Sequence, residues 1–214
     1  DSLPTAYWSV ENAGVKKGDT VVILGSGPVG LFAQKFAVMA GAERVIAVDP
    51  VQHRLDKAAN YNGVETYFLE DTAQAGTELY ELAKGGADVI IDCVGMDGLE
   101  PVKEKAKNLV SLQSGTISPL QMASQAVKKF GTVQVTGVYM TPASYYPLQE
   151  FFMRDIAVKH GQAPIIHLMP KIYEMIAEGL FDPTQIITHS LPLSEAAQAC
   201  EIIDKKEDNN IKVG

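Results

Sequence analysis

The sequence predicts an α/β fold, a doubly wound sheet of six parallel strands with helices on both faces. Three observations predict it. The runs TVVIL, RVIAVD and ADVIID are apolar, rich in β-branched residues and without alternation, as strands covered on both faces are. The segments between them carry apolar residues at helical spacing and close on glycines. Strand and helix patterns alternate over roughly the first 180 residues, and parallel neighbours need such crossovers.

Each element has its own signal. After Gly18 and Asp19, TVVIL is the first strand, and GSGPVG follows it directly. Val29, Phe32, Ala33, Phe36 and Ala40 then share one helical face, with Gly41 as the stop. RVIAVD is the second strand. Pro50 opens a helix that runs to about Asn60, with Asn62-Gly63 as its end. VETYFL is a weaker third strand, GTELYELAKGG a helix ending in glycines, and ADVIIDCVG a strongly apolar fourth strand. From Met96 to Phe130 the pattern is mostly helical. Its clearest part is Ser118-Pro119-Leu120-Gln121, which reads as a Ser cap, a first-turn proline and a capping-box glutamine, and Gly131 closes the helix. GTVQVTGV and DIAVKH are the fifth and sixth strands, and Leu168, Ile172, Met175 and Ile176 mark a helix ending at Gly179. The tail breaks the rhythm: ITHSLPL reads as a short strand, Ser194 as the cap of a helix to about Lys205, and IKV as the start of another strand.

Composition bounds the function. The 214 residues carry 18 basic against 26 acidic side chains, a net charge of −8, which excludes attraction of nucleic acid or anionic membrane by the overall field. No apolar run is long enough to cross a bilayer. Cys93 and Cys200 form no CxxC and no disulfide framework; they read as two reduced core thiols and fit a cytoplasmic location. The abrupt start at DSLPT and the stop at IKVG read as cut ends.

The chemistry sits in the glycine motif. Gly25, Gly27 and Gly30 form GxGxxG between a strand and a helix, and the next strand ends in Asp49. That context is the dinucleotide-binding, or Rossmann, fingerprint. Gly25 permits the tight turn, Gly27 lets the backbone reach a pyrophosphate, and Gly30 lets the helix pack on the sheet. The helix N-terminus offers free N–H groups and a positive dipole end to the phosphates. Asp49 can accept from both ribose hydroxyls and would repel a 2′-phosphate, favouring NAD over NADP. Two alternatives stand beside this: a structural glycine turn, and a methyltransferase, which also pairs a glycine loop with an acid ending its second strand.

Other candidates are thin. Tyr80 and Lys84 match a Tyr-x-x-x-Lys pair but fall on the helix before strand four, away from the carboxyl ends of the strands, and read as a chance match. His53, His160, His167 and His189 have no ligand spacing. His53 reads as a surface residue and His189 as a packed or loop histidine, while His160 ends strand six on the cofactor side. Glu100, Lys103, Glu104, Lys105 and Lys107 read as a solvated helix face. No residues for a complete hydride-transfer site are visible.

PTAYWSVENAGVKKGDTVVILGSGPVGL, then VIAVD with Arg54 five residues on, DVIIDCVG and GTVQVTGVY together resemble the zinc-dependent medium-chain alcohol dehydrogenases, in order and across nearly the whole chain. ITHSLPLSEAAQA is similar to the segment that returns to the catalytic domain in that family. Lys105 to Phe130, the loop after Tyr139, and Gly161-Gln162 with Pro164 most resemble the glutathione-independent formaldehyde dehydrogenase branch, with threonine and polyol dehydrogenase-like members next. The final strand is shorter here than in the family.

The resemblance implies a division into a linker helix (1–14), an NAD-binding Rossmann domain (15–184) and a return segment of a catalytic domain (185–214) that otherwise lies outside the chain. It implies NAD contacts by Thr5, Pro28, Val29, Asp49, Arg54 on the adenine side, Val94 by the adenosine, and Val138, Gly161 and Gln162 by the nicotinamide. It places Asp1 at a zinc-ligand position; one carboxylate cannot hold zinc, so the metal belongs to the full-length parent. The parent would oxidise a small alcohol or aldehyde by hydride transfer to NAD, and this chain alone would bind cofactor without turnover. Subunits would pair through the edge of the sixth strand into a dimer or larger homo-oligomer. The rivals are a stand-alone NAD-binding or redox-sensing module, and a zinc-free quinone reductase, which would prefer NADP.

Overall fold

A computed structural model of the chain describes residues 1–95, 116–139, 145–205 and 208–214. Its elements are α1 (Ser2–Ala13), β1 (Thr20–Leu24), α2 (Pro28–Met39), β2 (Arg44–Asp49), α3 (Gln52–Asn62), β3 (Glu65–Phe68), α4 (Thr72–Leu82), β4 (Ala87–Asp92), α5 (Ser118–Ala126), β5 (Val127–Val135), α6 (Leu148–Met153), β6 (Ala157–His160), α7 (Ile165–Ala177) and α8 (Ala196–Lys205). The strands form one six-stranded sheet in the order β3-β2-β1-β4-β5-β6, with every pairing parallel. This is the Rossmann order, with a switch point between β1 and β4 where the chain reverses its direction of growth.

Strand pleating divides the core into two layers. Val21 and Ile23 of β1 face a cluster built with α1, α2, α3 and α7, including Val10, Phe32, Phe36, Leu55 and Ile172. Val22 and Leu24 face the other cluster, with Leu79 of α4, Met122 of α5 and Phe151 of α6. Apolar surface on both faces of one strand has to be covered twice, which is why these strands read as unbroken apolar runs. Tyr7 meets Phe36 edge-on with ring centres 5.2 Å apart, and Phe181 packs on Phe32 and Phe36 at 5.5 Å.

Several boundaries differ from the sequence reading. α3 starts at Gln52, after Pro50, and ends as expected on left-handed Gly63 at φ 66°. Ala40 is exposed beyond the end of α2; Ala37, one turn earlier, lies in the core. Ser118 is the first helical residue of α5 and not its cap, and its N–H donates to Thr116 Oγ1 at 3.0 Å. The helix ends at Ala126, before Gly131, because β5 starts at Val127. β5 carries an irregularity between its pairings to Ala87 and Val89, and Phe130 there adopts a left-handed φ of 65°. A bulge of this kind restores register after extra residues enter a strand. Ser194 lies inside a short 3-10 turn (Leu193–Glu195) that precedes α8, and the tail strands reduce to a single parallel bridge between His189 and Val213. Cys93 is half-buried, and Cys200 is exposed and not in the core. The charge run from Glu100 to Lys107, residues 105–115 of the Lys105 to Phe130 segment, and residues 140–144 after Tyr139 lie outside the described residues. Among the described residues no helix is long and apolar enough to cross a membrane.

Candidate functional site

The glycine motif lies at the carboxyl end of β1, at the switch point, and its three glycines do three different jobs. Gly25 turns off the strand at φ 91°, and its N–H donates to the Val48 carbonyl at 2.7 Å. Gly30 packs α2 onto the loop: a Cβ there would stand 2.8 Å from the Gly25 carbonyl carbon and closer still to its oxygen. Gly27 caps α2 with ordinary extended dihedrals (φ −72°, ψ −171°), and a Cβ there would have as its nearest neighbour only the Arg54 Nη1, at 3.9 Å. So Gly25 and Gly30 are required by the protein itself, whereas Gly27 leaves a space that the protein does not fill. The twelve-residue α2 directs its free first-turn N–H groups and its positive end toward that space, with Pro28 at the start, where a missing N–H costs nothing. Val29 lies half-buried in the same turn.

Asp49 ends β2 and is 3% exposed. Its Oδ2 accepts the Ser26 N–H at 2.8 Å, and its Oδ1 accepts the Val51 N–H at 2.9 Å. Each carboxylate oxygen keeps acceptor capacity for a further donor. Arg54, in the first turns of α3, reaches to 3.8 Å of Asp49 Oδ2, and its buried Nε has no hydrogen-bond partner. An open glycine face, a carboxylate with spare acceptor capacity and an orphaned guanidinium nitrogen suit a ligand that carries phosphates and a diol.

Val94 forms the opposite wall, with its Cγ2 2.8 Å from where a Gly25 Cβ would be. The loops after β4 and β5 cross here at near-contact distance. A Cβ on Gly137 would fall 2.5 Å from Gly95 Cα, and Val138 stands exposed beside that crossing. Asp92 holds it together and escaped the sequence reading. It is fully buried; its Oδ1 accepts the N–H groups of Val94 (2.9 Å) and Gly95 (3.0 Å), and its Oδ2 accepts the Tyr139 hydroxyl at 2.8 Å. Burial pushes its carboxyl up from the usual range, against the pull of these three donors. The missed signal was an Asp ending a buried apolar strand, the same signal that singled out Asp49. Burial and the Asp92 charge push the Cys93 thiol up as well, so it is no nucleophile near neutral pH.

α1 lies across the β5 side of the same end. Ser9 Oγ and Thr136 Oγ1 are 2.7 Å apart, Asn12 Nδ2 donates to Gln134 Oε1 at 2.7 Å, and Lys159 Nζ donates to the Asn12 carbonyl at 2.6 Å. Thr5 is half-buried on this helix, and its carbonyl accepts from Ser9. Gly161, at φ 144°, follows β6 close to Trp8, whose ring lies 3.8 Å from a would-be Gly161 Cβ. Gln162 is exposed next to it.

The fold thus gathers Gly25, Gly27, Pro28, Val29, Gly30, Asp49, Arg54 and Val94 around one crevice, with Val138 at the loop crossing and Thr5, Gly161 and Gln162 farther along toward α1 and β6. His160 ends β6 and is exposed. His53 is half-buried and not on the open surface, with its Nε2 3.1 Å from the Asn210 carbonyl. His189 pairs with Asp208 at 3.0 Å. Tyr80 packs by Gly86, and its turn-mate Leu82 accepts from Arg44, which begins β2; Tyr80 and Lys84 therefore sit at the amino end of the sheet, away from the crevice. Asp1 is exposed at the start of α1, 3.5 Å from Thr5 Oγ1. Among the described residues no three His, Cys, Asp or Glu side chains could hold a metal ion together, so zinc does not fit them.

The family described as zinc-binding dehydrogenase matches residues 28–107. An uncharacterized zinc-type alcohol dehydrogenase-like protein, AdhB of Bacillus subtilis, is 51% identical over 213 residues, covering 100% of this chain and 56% of that protein. A zinc-type alcohol dehydrogenase-like protein of Schizosaccharomyces pombe is 27% identical over 213 residues, covering 100% of this chain and 50% of its own length. The alcohol dehydrogenase TADH of Thermus sp. ATN1 superposes with a TM-score of 0.83 at 28% identity, over 100% of this chain and 55% of that one. The chain spans about half the length of the curated relatives it matches. With the Rossmann order and the glycine crevice in place, these matches support the cofactor-binding part of the zinc-dependent medium-chain alcohol dehydrogenase superfamily.

Proposed function

We propose that the chain is the NAD-binding part of a zinc-type alcohol dehydrogenase, with residues 1–14 as a linker helix, 15–184 as the cofactor domain and 185–214 as a segment returning to a catalytic domain. The observation that carries the reading is the open face of Gly27 beneath the first turn of α2, beside Asp49 and Arg54. NAD, when bound, supplies the hydride acceptor for oxidation of a small alcohol or aldehyde, hydrated formaldehyde among them. The residues of the chain bind and orient. The α2 N–H groups take the pyrophosphate, Asp49 takes the ribose hydroxyls, and Arg54 covers the adenine side and draws its unpaired Nε into the contact. Val94 lines the adenosine; Val138, Gly161, Gln162 and Thr5 border the nicotinamide. No step in this chain runs through a metal, and Asp1 would be one ligand of a zinc site only if the rest of the parent completed it. The carboxylate of Asp49 opposes a 2′-phosphate, so NAD is preferred to NADP. A second copy of the chain would pair along β6, the sheet edge flanked by exposed Leu148, Phe152 and Met153, in a cytoplasmic dimer or larger assembly.

Trp8, the one tryptophan of the chain, offers the test. Titration with NADH should give saturable energy transfer from Trp8 with micromolar or weaker affinity, displaced by NAD, without alcohol turnover. Absence of binding at millimolar cofactor overturns the reading; tighter binding of NADPH than NADH overturns the NAD assignment. A monomer by sedimentation overturns the assembly.

A further inference from the structure

We propose that Gln34 is a positioning residue for the cofactor loop, acting through Ser26 on Asp49. The inference rests on the reading above, that residues 25–30 receive a dinucleotide. Gln34 lies in the second turn of α2 and has no exposed surface, among Leu31, Ala33 and Ala37 of the same helix, which are equally buried. An apolar side chain would satisfy that environment at lower cost; a buried amide is tolerated only when it is bonded. Its Nε2 donates to Ser26 Oγ at 3.0 Å, and its Oε1 accepts from Asn62 Nδ2 at 3.0 Å. Asn62 Nδ2, at the end of α3, also donates to the Leu31 carbonyl at 2.9 Å. Ser26 is itself fully buried, and its N–H donates to Asp49 Oδ2.

The result is one directed chain of donors through four segments: from α3 to α2, from α2 to the glycine loop, and from the loop to the end of β2. Asn62 turns both donor contacts toward α2 and leaves its buried Oδ1 without a partner. Its orientation is therefore set by the two acceptors on α2 and not by its own satisfaction. Because Ser26 stands between Gly25 and Gly27, fixing its side chain fixes the plane of the backbone that frames the open Gly27 face. Because its N–H holds Asp49 Oδ2, the same contact fixes the carboxylate assigned to the ribose. Gln34 touches neither feature directly and acts on both through one residue.

The test uses the full chain and NADH energy transfer from Trp8, with thermal melts on every variant. Q34M keeps the volume and removes both hydrogen bonds; NAD affinity should fall about tenfold, the scale of one buried polar group left unpaired. S26A should fall by a similar factor, and S26A/Q34M by no more than either alone, because both break the same link. Q34E, neutral when buried and then able to donate and accept as glutamine does, should restore binding near pH 6 and lose it near pH 8.5, with the wild type unchanged between them. Wild-type binding of NAD together with unchanged affinity in Q34M, additive losses in the double variant, or equal Q34E binding at both pH values each overturns the inference and leaves the cofactor reading standing. Should Q34M fail to fold, Q34E at the two pH values decides the matter. No binding by the wild type overturns both.

Discussion

Alanine at Gly27 and alanine at Gly30 should part company, because one glycine makes room for a ligand and the other for the protein. At Gly30 the added methyl meets the Gly25 carbonyl, backbone atoms that no rotamer change can move. Overpacking of this kind costs about 3 kcal/mol, at the upper end of the usual range, because the strand-to-helix turn itself must shift. For a chain of this length that lowers Tm by roughly 6–12 °C. At Gly27 the methyl meets only the Arg54 Nη1, at an ordinary contact distance of 3.9 Å, in a conformation alanine adopts freely. Alanine is a poorer N-cap than glycine, but it also restricts the unfolded chain; the two effects are each under about 1 kcal/mol and oppose each other, so Tm should stay within about 2 °C. The same methyl occupies the path of the pyrophosphate to the α2 N–H groups. Losing a charge-assisted hydrogen bond costs about 2 kcal/mol, so NAD affinity should fall roughly 30-fold. Differential scanning fluorimetry and equilibrium dialysis on both variants check this. A G27A protein that binds NAD like the wild type, or a G30A protein that melts like the wild type, would refute the division of labour among the glycines.

Two further outcomes follow from single contacts. Because burial raises the Asp92 pKa in the folded state, the native protein binds a proton there more tightly than the unfolded chain does; its contribution is greatest below the unfolded pKa and declines as pH rises toward the folded value. D92N keeps the geometry without the charge, so urea titrations from acid to neutral pH should show it gaining on the wild type as pH rises, and a constant difference would contradict the burial argument. Arg44 grips Glu65 through two nitrogens, at 2.8 and 2.7 Å, and also donates to the Leu82 carbonyl, joining β2, β3 and the end of α4. R44M should cost about 1 kcal/mol, less in high salt, and a loss insensitive to salt would point to packing instead.

The fold was legible because its strands are buried on both faces: TVVIL, RVIAVD and ADVIID have no polar face that could confuse the period. The third strand was less visible because Glu65, Thr66 and Phe68 of β3 remain open to solvent. The start of β5 was hidden for another reason. KKF carries a lysine pair that suits a helix, and the bulge that absorbs it answers to the register of β4, a long-range demand without local sequence signature. The glycine loop was legible because three glycines fall at fixed spacing between a strand and a helix, two of them demanded by the backbone. Its supports were not. Asp92 meets Tyr139, and Gln34 meets Ser26 and Asn62, across separations that only the folded topology closes. Polar residues placed on helical faces for such partners look, in sequence, like interruptions of an apolar stripe.

Residues 1–14 carry the last consequence. α1 could join another part of a longer protein and contribute nothing here, but its burial argues against that. Ala6, Tyr7, Val10 and Ala13 lie 0–8% exposed in the same cluster as β1 and α2, with Leu3 and Trp8 packed against it. The polar side binds the sheet end through Ser9 and Asn12, and Lys171 of α7 lies over the Tyr7 ring at 4.7 Å while it donates to Glu11 at 3.0 Å. Burying Tyr7 and Val10 alone contributes roughly 3–6 kcal/mol, against a whole-domain stability of about 5–15 kcal/mol. A chain beginning at Val15 should therefore lose its cooperative melt or precipitate, and adding α1 back as a separate peptide should restore a transition. If the shortened chain instead melts cooperatively within a few degrees of the parent, α1 is only a linker, and the wall it forms beside Gly161 and Thr136 has to be held by something other than the core.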